Sequence, residues 1–106
     1  MDFVKAMDRA YELFEQYAFR KRYSNNDWRK PLNKALFEVW SVILSKLQEE
    51  KYQILLVKKN KLNEEVINIH NRNSEFERAI TTSTGSPKNV MKRFNEINDL
   101  INLVIK

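Results

Sequence analysis

Apolar positions dominate the stretch from Pro31 to Leu47 more than any other part of the chain. Its polar residues fall mainly at Lys34, Glu38, Ser41 and Ser45. This spacing places them on one narrow stripe of an α-helix, and nearly every other position is apolar. A helix with so narrow a polar face must be covered by other elements on most sides. The pattern predicts a central, buried helix over residues 31–47, with Pro31 in its first turn.

A second apolar stripe predicts a helix from Asp2 to Lys21. Its members are Phe3, Met7, Ala10, Phe14 and Tyr17, widened by Val4, Tyr11 and Ala18. We expect this aromatic face to pack on the central helix. If the chain is a piece of a larger protein, part of the face would instead lie exposed and contact a partner.

The same periodicity predicts two short helices after the central one, at about Glu49–Lys58 and Lys61–Asn71. His70, the only histidine of the chain, falls at the end of the second helix. It has no companion residues at the spacing of a metal site, so we expect it at the surface or at a boundary of the core.

Start and stop signals predict two more helices. Ser74 and Glu77 have the spacing of a capping box, and Gly85 is suited to a left-handed end of the short helix that follows. Ser86 and Pro87 predict the N-cap and first residue of the last helix. The apolar series of that helix is Val90, Phe94, Ile97, Ile101 and Val104.

The composition favours an all-α fold. Among 106 residues there are one glycine, two prolines and no cysteine, which disfavours tightly turned sheets and excludes disulfides. We expect a single helical domain over residues 1–106, a compact bundle of five to six helices around the central helix. No signal pattern and no apolar run of about 20 residues occurs, so we expect a cytoplasmic protein without a membrane segment.

Positive charge is concentrated in the connector, which we define as residues 20–34. Its six cations and one aspartate give five net positive charges, equal to the +5 of the whole chain. Such a loop is either a solvated surface or a contact for phosphate, with an aromatic side chain to stack on bases. For Trp28 we expect the side chain to fold against the edge of the core, and stacking on a base is the alternative. The candidate nucleic-acid-binding residues are Arg20, Lys21, Arg22, Trp28, Arg29, Lys30 and Lys34.

Patterns of catalytic, metal and cofactor sites are absent from the sequence. Glu38 lies within the most apolar helix, where Lys34 is placed to pair with it. The turn at 83–87 has the chemistry of an anion site, with Lys88 and Lys92 nearby, but a simple helix cap explains it as well. We therefore expect no catalytic residue, no metal, no cofactor and no enzymatic activity in this chain.

Two groups of short segments, one in each half of the chain, carry a resemblance to a known family. The order Ala-Met-Asp-Arg-Ala-Tyr-Glu-Leu-Phe, then Ala-Phe-Arg-Lys, then Pro-Leu-Asn-Lys-Ala-Leu-Phe-Glu-Val-Trp resembles the C-terminal helical part of GmrSD-type defence proteins. Residues 76–80, 84–85 and 90–94 are similar to the end of that family. The resemblance extends from Phe3 to the last helix, and its motifs are structural.

The resemblance implies a prokaryotic or phage-linked role in restriction of foreign DNA. In that family the nuclease chemistry is associated with an N-terminal ParB/sulfiredoxin-like domain bearing an Asp-Gly-Gln-Gln-Arg motif, which does not occur here. The chain would then be a non-catalytic fragment or accessory C-terminal domain. Its apolar first helix would contact a nuclease/NTPase domain, or further copies of the chain in a homo-oligomer. The alternative is a basic helical module that binds nucleic acid, such as DNA, through the connector.

Overall fold

The computed structural model describes residues 1–106 and confirms the all-α fold. Six helices surround a continuous core, and a single 3-10 turn at Glu15–Tyr17 follows the first of them. None of the helices combines the length and the apolarity that crossing a bilayer requires. The helices are α1 (Phe3–Phe14), α2 (Lys34–Lys46), α3 (Glu49–Val57), α4 (Lys59–Arg72), α5 (Ser74–Thr81) and α6 (Pro87–Ile105).

The central helix α2 is largely buried, as its apolar pattern predicts, but Ser41 of the predicted polar stripe is buried as well. The helix packs against α1, α5 and α6, with Val39 and Leu44 fully buried. The helix begins later than predicted, because Asn33 is its N-cap and accepts a hydrogen bond from the Leu36 amide. Pro31 precedes the helix in extended chain, where the neighbouring residue Leu32 forms an isolated antiparallel bridge with Arg20.

The first helix ends at Phe14 rather than Lys21. Glu15 adopts φ 53° and ψ −127°, which breaks the helix, and the chain then turns into the connector. Asn63 of α4 donates a 2.9 Å hydrogen bond to the carbonyl of Leu13 and so caps this end. The prediction of a long helix was wrong because apolar spacing alone does not reveal a cap supplied by another helix.

The inner face of α1 is also rotated from the predicted stripe. Its buried residues are Ala6, Arg9, Ala10, Leu13 and Phe14. The Arg9 guanidinium donates hydrogen bonds of 2.8 Å and 2.7 Å to the carbonyls of Leu44 and Leu47, at the C-terminal end of α2. It also lies over the ring of Tyr52. A buried cation thus satisfies carbonyl groups that α2 itself leaves unpaired.

Residue Arg93 has the same role at the end of α5. Its Nη1 donates to the carbonyls of Ala79 and Thr84, and its Nη2 donates to Glu38 at 2.9 Å. Glu38 therefore pairs with Arg93, and the expected pair with Lys34 was wrong. The distant partner lies on α6, so helix spacing within α2 does not reveal it.

The caps of α5 and α6 differ from one another in how well the sequence predicts them. Asn73, not Ser74, is the N-cap of α5, because its side chain accepts from the Phe76 amide. The left-handed residue after α5 is Ser83, with φ 49°, and Gly85 has no positive φ. The predicted start of α6 at Ser86 and Pro87 is confirmed.

Candidate functional site

The connector is held against the bundle at both of its ends. The Asn33 amide donates to the carbonyl of Phe19, and Arg20 donates from its guanidinium to the carbonyl of Lys30. Lys21 donates a 2.6 Å hydrogen bond to the hydroxyl of Thr81 at the end of α5. These contacts close residues 20–34 into a fixed loop rather than a mobile linker.

Within the loop, Arg22 is a structural residue. Its guanidinium is buried, lies 3.9 Å from the ring centroid of Tyr17, and donates to the carbonyls of Ser24 and Asn25. It also donates a 2.8 Å hydrogen bond to Asn63 on α4. Of the seven candidate residues it is the least accessible to a phosphate group.

Asp27 organises the tip of the loop. Its carboxylate accepts from the amides of Tyr23 and Trp28 and forms an ion pair of 2.5 Å with Lys30. The hydrogen bond from Lys30, followed by that from the Tyr23 amide, holds the pKa of Asp27 below its ordinary value. Tyr17 completes the turn, because its hydroxyl donates to the Asp27 carbonyl at 2.7 Å.

The side chain of Trp28 points away from the core. It is 66% exposed, so the expectation that it folds against the core edge was wrong. The Lys30 ammonium lies 4.8 Å from the Trp28 ring centroid and 5.0 Å from that of Tyr23.

The remaining candidates, Arg29 and Lys34, are exposed, and neither pairs with a carboxylate. Burial first, and then the nearby Arg29, lowers the pKa of Arg20. The structure thus divides the seven predicted residues in two. Lys21 and Arg22 tie the loop to the bundle, and Arg20 closes the loop through its bond to Lys30. Trp28, Arg29 and Lys34 lie on its outer surface, whereas the Lys30 side chain is only 15% exposed and is paired with Asp27.

A polar cluster that the sequence did not suggest lies beneath the connector. His70 is only 4% exposed, and its Nδ1 lies 2.6 Å from Glu77. The second carboxylate oxygen of Glu77 accepts a 2.6 Å hydrogen bond from the Tyr23 hydroxyl. The expectation of a surface or boundary histidine was therefore wrong. Its position four residues after the buried Val66 was the available signal.

The outer side of the first helix forms a second accessible feature, the α1 edge, defined as Phe3, Val4, Met7 and Tyr11. Phe3 is 51% exposed, Val4 69% and Tyr11 68%. Phe3 contacts Phe37 of α2, with ring centroids 5.9 Å apart, so the edge continues onto the central helix. Phe3, Val4 and Tyr11 are members of the predicted stripe that the chain leaves uncovered, while Met7 is half-buried against the core.

A groove between α1 and α3 borders the α1 edge. Its acidic lining residues are Asp2, Asp8, Glu12 and Glu49. Lys5 is the one exposed cation among its lining residues, since Arg9 is buried. The edge is therefore apolar along its length and predominantly acidic on the groove side.

Features that would support chemistry are few. No group of three or more histidine and carboxylate side chains is arranged to hold a metal ion. Near the turn at 83–87, Lys92 is already paired with Glu75 and Glu96. The hydroxyl of Ser86 accepts from the Asn89 amide, so this turn has the helix-capping role that the sequence allowed.

Comparison with known proteins adds no relative: no protein family, no curated protein and no solved structure matches the chain.

Proposed function

We propose that this chain is a non-catalytic helical accessory domain of a prokaryotic DNA-restriction protein, which assembles with a nuclease/NTPase domain. The observation that carries the proposal is the exposed α1 edge. Exposed apolar residues grouped on one helix face are typical of protein contact sites, whereas singly scattered ones are not. The resemblance to GmrSD-type proteins supplies the class of partner.

The border of the edge defines the chemistry of that partner. Asp8 and Glu12 flank Val4 and Tyr11 on the groove side, so a complementary surface has an apolar centre with lysine or arginine on one flank. Tyr11 is suited to a central contact, because tyrosine combines a large apolar ring with a polar hydroxyl and is enriched at binding hot spots.

Light scattering coupled to size-exclusion chromatography tests the proposal. The chain is measured alone and mixed with the Asp-Gly-Gln-Gln-Arg domain encoded by the upstream reading frame. We expect a mixed complex that disappears in the Tyr11→Glu variant. The Val57→Glu variant is the matched control, since Val57 is 86% exposed but lies on α3.

Three results oppose the proposal: a monomer that forms no mixed complex, a complex that Tyr11→Glu leaves intact, or an absence of any such upstream domain. If the chain instead associates with itself, and Tyr11→Glu abolishes that association, the partner of the α1 edge is a second copy of the chain rather than the proposed domain. Circular dichroism of both variants verifies that the helices are retained.

A further inference from the structure

We propose that the outer surface of the connector is a binding site for single-stranded nucleic acid, with one base stacked on Trp28. The phosphates on either side would lie near Arg29 and Lys34, the two exposed cations of that surface. This site is separate from the α1 edge, and neither proposal depends on the other.

The first argument is the fixed presentation of the indole. Arg22 and Asp27 hold the backbone on both sides of the loop tip through hydrogen bonds to Asn25, Tyr23 and Trp28. A tryptophan that remains 66% exposed on so constrained a loop loses little conformational freedom when a flat ligand stacks on it. Stacking on aromatic side chains accepts any base, because every base has a π-face.

The second argument is the positive charge of the connector that carries the ring. The Lys30 ammonium lies 4.8 Å from the Trp28 centroid, while Arg29 and Lys34 are exposed and unpaired with carboxylates. Asp27 compensates Lys30 within the loop, so the two unpaired cations dominate the outer surface.

The third argument selects a single strand over a duplex. The site is an irregular loop and offers no helix or ribbon of the width that enters a major groove. An indole can stack only on a base whose face is accessible, which a continuous duplex does not provide. Stacking with flanking cations is the usual arrangement for single strands, whether DNA or RNA.

Fluorescence anisotropy with labelled oligo(dT) and oligo(U) of about twelve nucleotides tests the site. We expect binding to at least one of them at about 20 mM salt, and weaker binding to a duplex of the same length. With two phosphate contacts, log K should fall with log salt at a slope of roughly −1.4. The two oligonucleotides distinguish DNA from RNA as the source of the ligand.

Variants separate stacking from charge. Trp28→Ala should weaken binding about tenfold, while Trp28→Phe retains much of it. Arg29→Ala should weaken binding and make the salt slope shallower by roughly 0.7. Lys61→Ala removes an exposed cation from α4 and is the matched control, expected to leave binding unchanged. Tyr11→Glu should also bind normally, because the α1 edge is not part of this site.

A direct readout uses the second tryptophan. Trp40 is buried in the core, so in the Trp40→Phe variant the emission reports Trp28 alone. Stacking of a base should quench that emission as the oligonucleotide is added. The proposal is overturned by absence of binding at low salt, by equal affinity of Trp28→Ala and the natural chain, or by binding without quenching. Equal affinity for the duplex would likewise contradict it.

Discussion

The Nδ1 atom of His70 lies 2.6 Å from the Oε1 atom of Glu77, inside the bundle between α4 and α5. An ionised carboxylate only accepts hydrogen bonds, so the ring nitrogen is the donor. Burial acts to raise the pKa of Glu77, but the hydrogen bonds from His70 and Tyr23 outweigh it and the net pKa is lowered. The pair therefore favours the charged carboxylate in the folded chain.

This pair predicts an acid-sensitive fold. Because the folded pKa of Glu77 is depressed, its stabilisation is complete above the unfolded pKa, about 4.3, and is lost as the pH falls through the folded pKa. Glu77→Gln should cost about 2 kcal/mol of unfolding free energy at neutral pH and should flatten the decline below about pH 4. Urea unfolding across that range measures both effects. If the free energy of unfolding falls with pH equally in the two proteins, Glu77 does not contribute to the acid sensitivity of the fold.

The phenol of Tyr52 predicts the opposite dependence at alkaline pH. Burial, then its hydrogen bond to Glu12, raises the pKa of Tyr52. A raised folded pKa means that this stabilisation is complete below the unfolded pKa, about 10, and is lost as the pH rises above it. Above about pH 10, the free energy of unfolding of Tyr52→Phe should therefore fall less steeply with pH than that of the natural chain. Unfolding by urea at successive alkaline pH values checks this, and an unchanged dependence would refute the assignment.

The buried guanidinium of Arg9 predicts a large loss from a single truncation. Arg9→Ala leaves the carbonyls of Leu44 and Leu47 unpaired at the end of α2. We expect a loss of roughly 3 kcal/mol in unfolding free energy, because these bonds have a charged donor. Lys5→Ala on the exposed side of α1 is the matched control and should change stability little. Equal losses in the two variants would contradict the capping role.

Glu15 provides a test of backbone strain. Its φ of 53° and ψ of −127° are unfavourable for any residue with a Cβ atom. Glu15→Gly and Glu15→Ala both remove the exposed ion pair with Lys59, so the difference between them isolates the backbone. The glycine variant should be more stable than the alanine variant by at least about 1 kcal/mol in thermal or urea unfolding. Equal stability of the alanine and glycine variants would show that the backbone at Glu15 is not strained.

The sequence predicted the helices well because apolar periodicity reflects burial directly. The positions of α3, α4 and the start of α6 were within a few residues of the structure. Several of the errors have a common physical source, which is polar side chains that cap a helix distant in sequence. Arg9, Asn63 and Arg93 satisfy carbonyls of helices other than their own, and nothing in their local pattern indicates this.

The sequence located the candidate site in the connector but did not indicate which of its residues are exposed. The excess of positive charge in the connector was evident from the sequence. The separate roles of Arg22, which is buried, and Arg29, which is exposed, depend on contacts with Tyr17 and Asn63 across the fold. The exposure of Trp28, which lies in the turn around Asp27, was likewise not indicated by the hydrophobicity of the indole.

The proposed partner of the α1 edge is a nuclease/NTPase domain. Titration calorimetry at several temperatures, with an Asp-Gly-Gln-Gln-Arg domain encoded by the upstream reading frame, tests that proposed contact directly. Burial of Val4 and Tyr11 predicts saturable binding with a negative heat-capacity change, abolished by Tyr11→Glu and preserved in Val57→Glu. No binding, or the same affinity and heat capacity in Tyr11→Glu as in the natural chain, would contradict it.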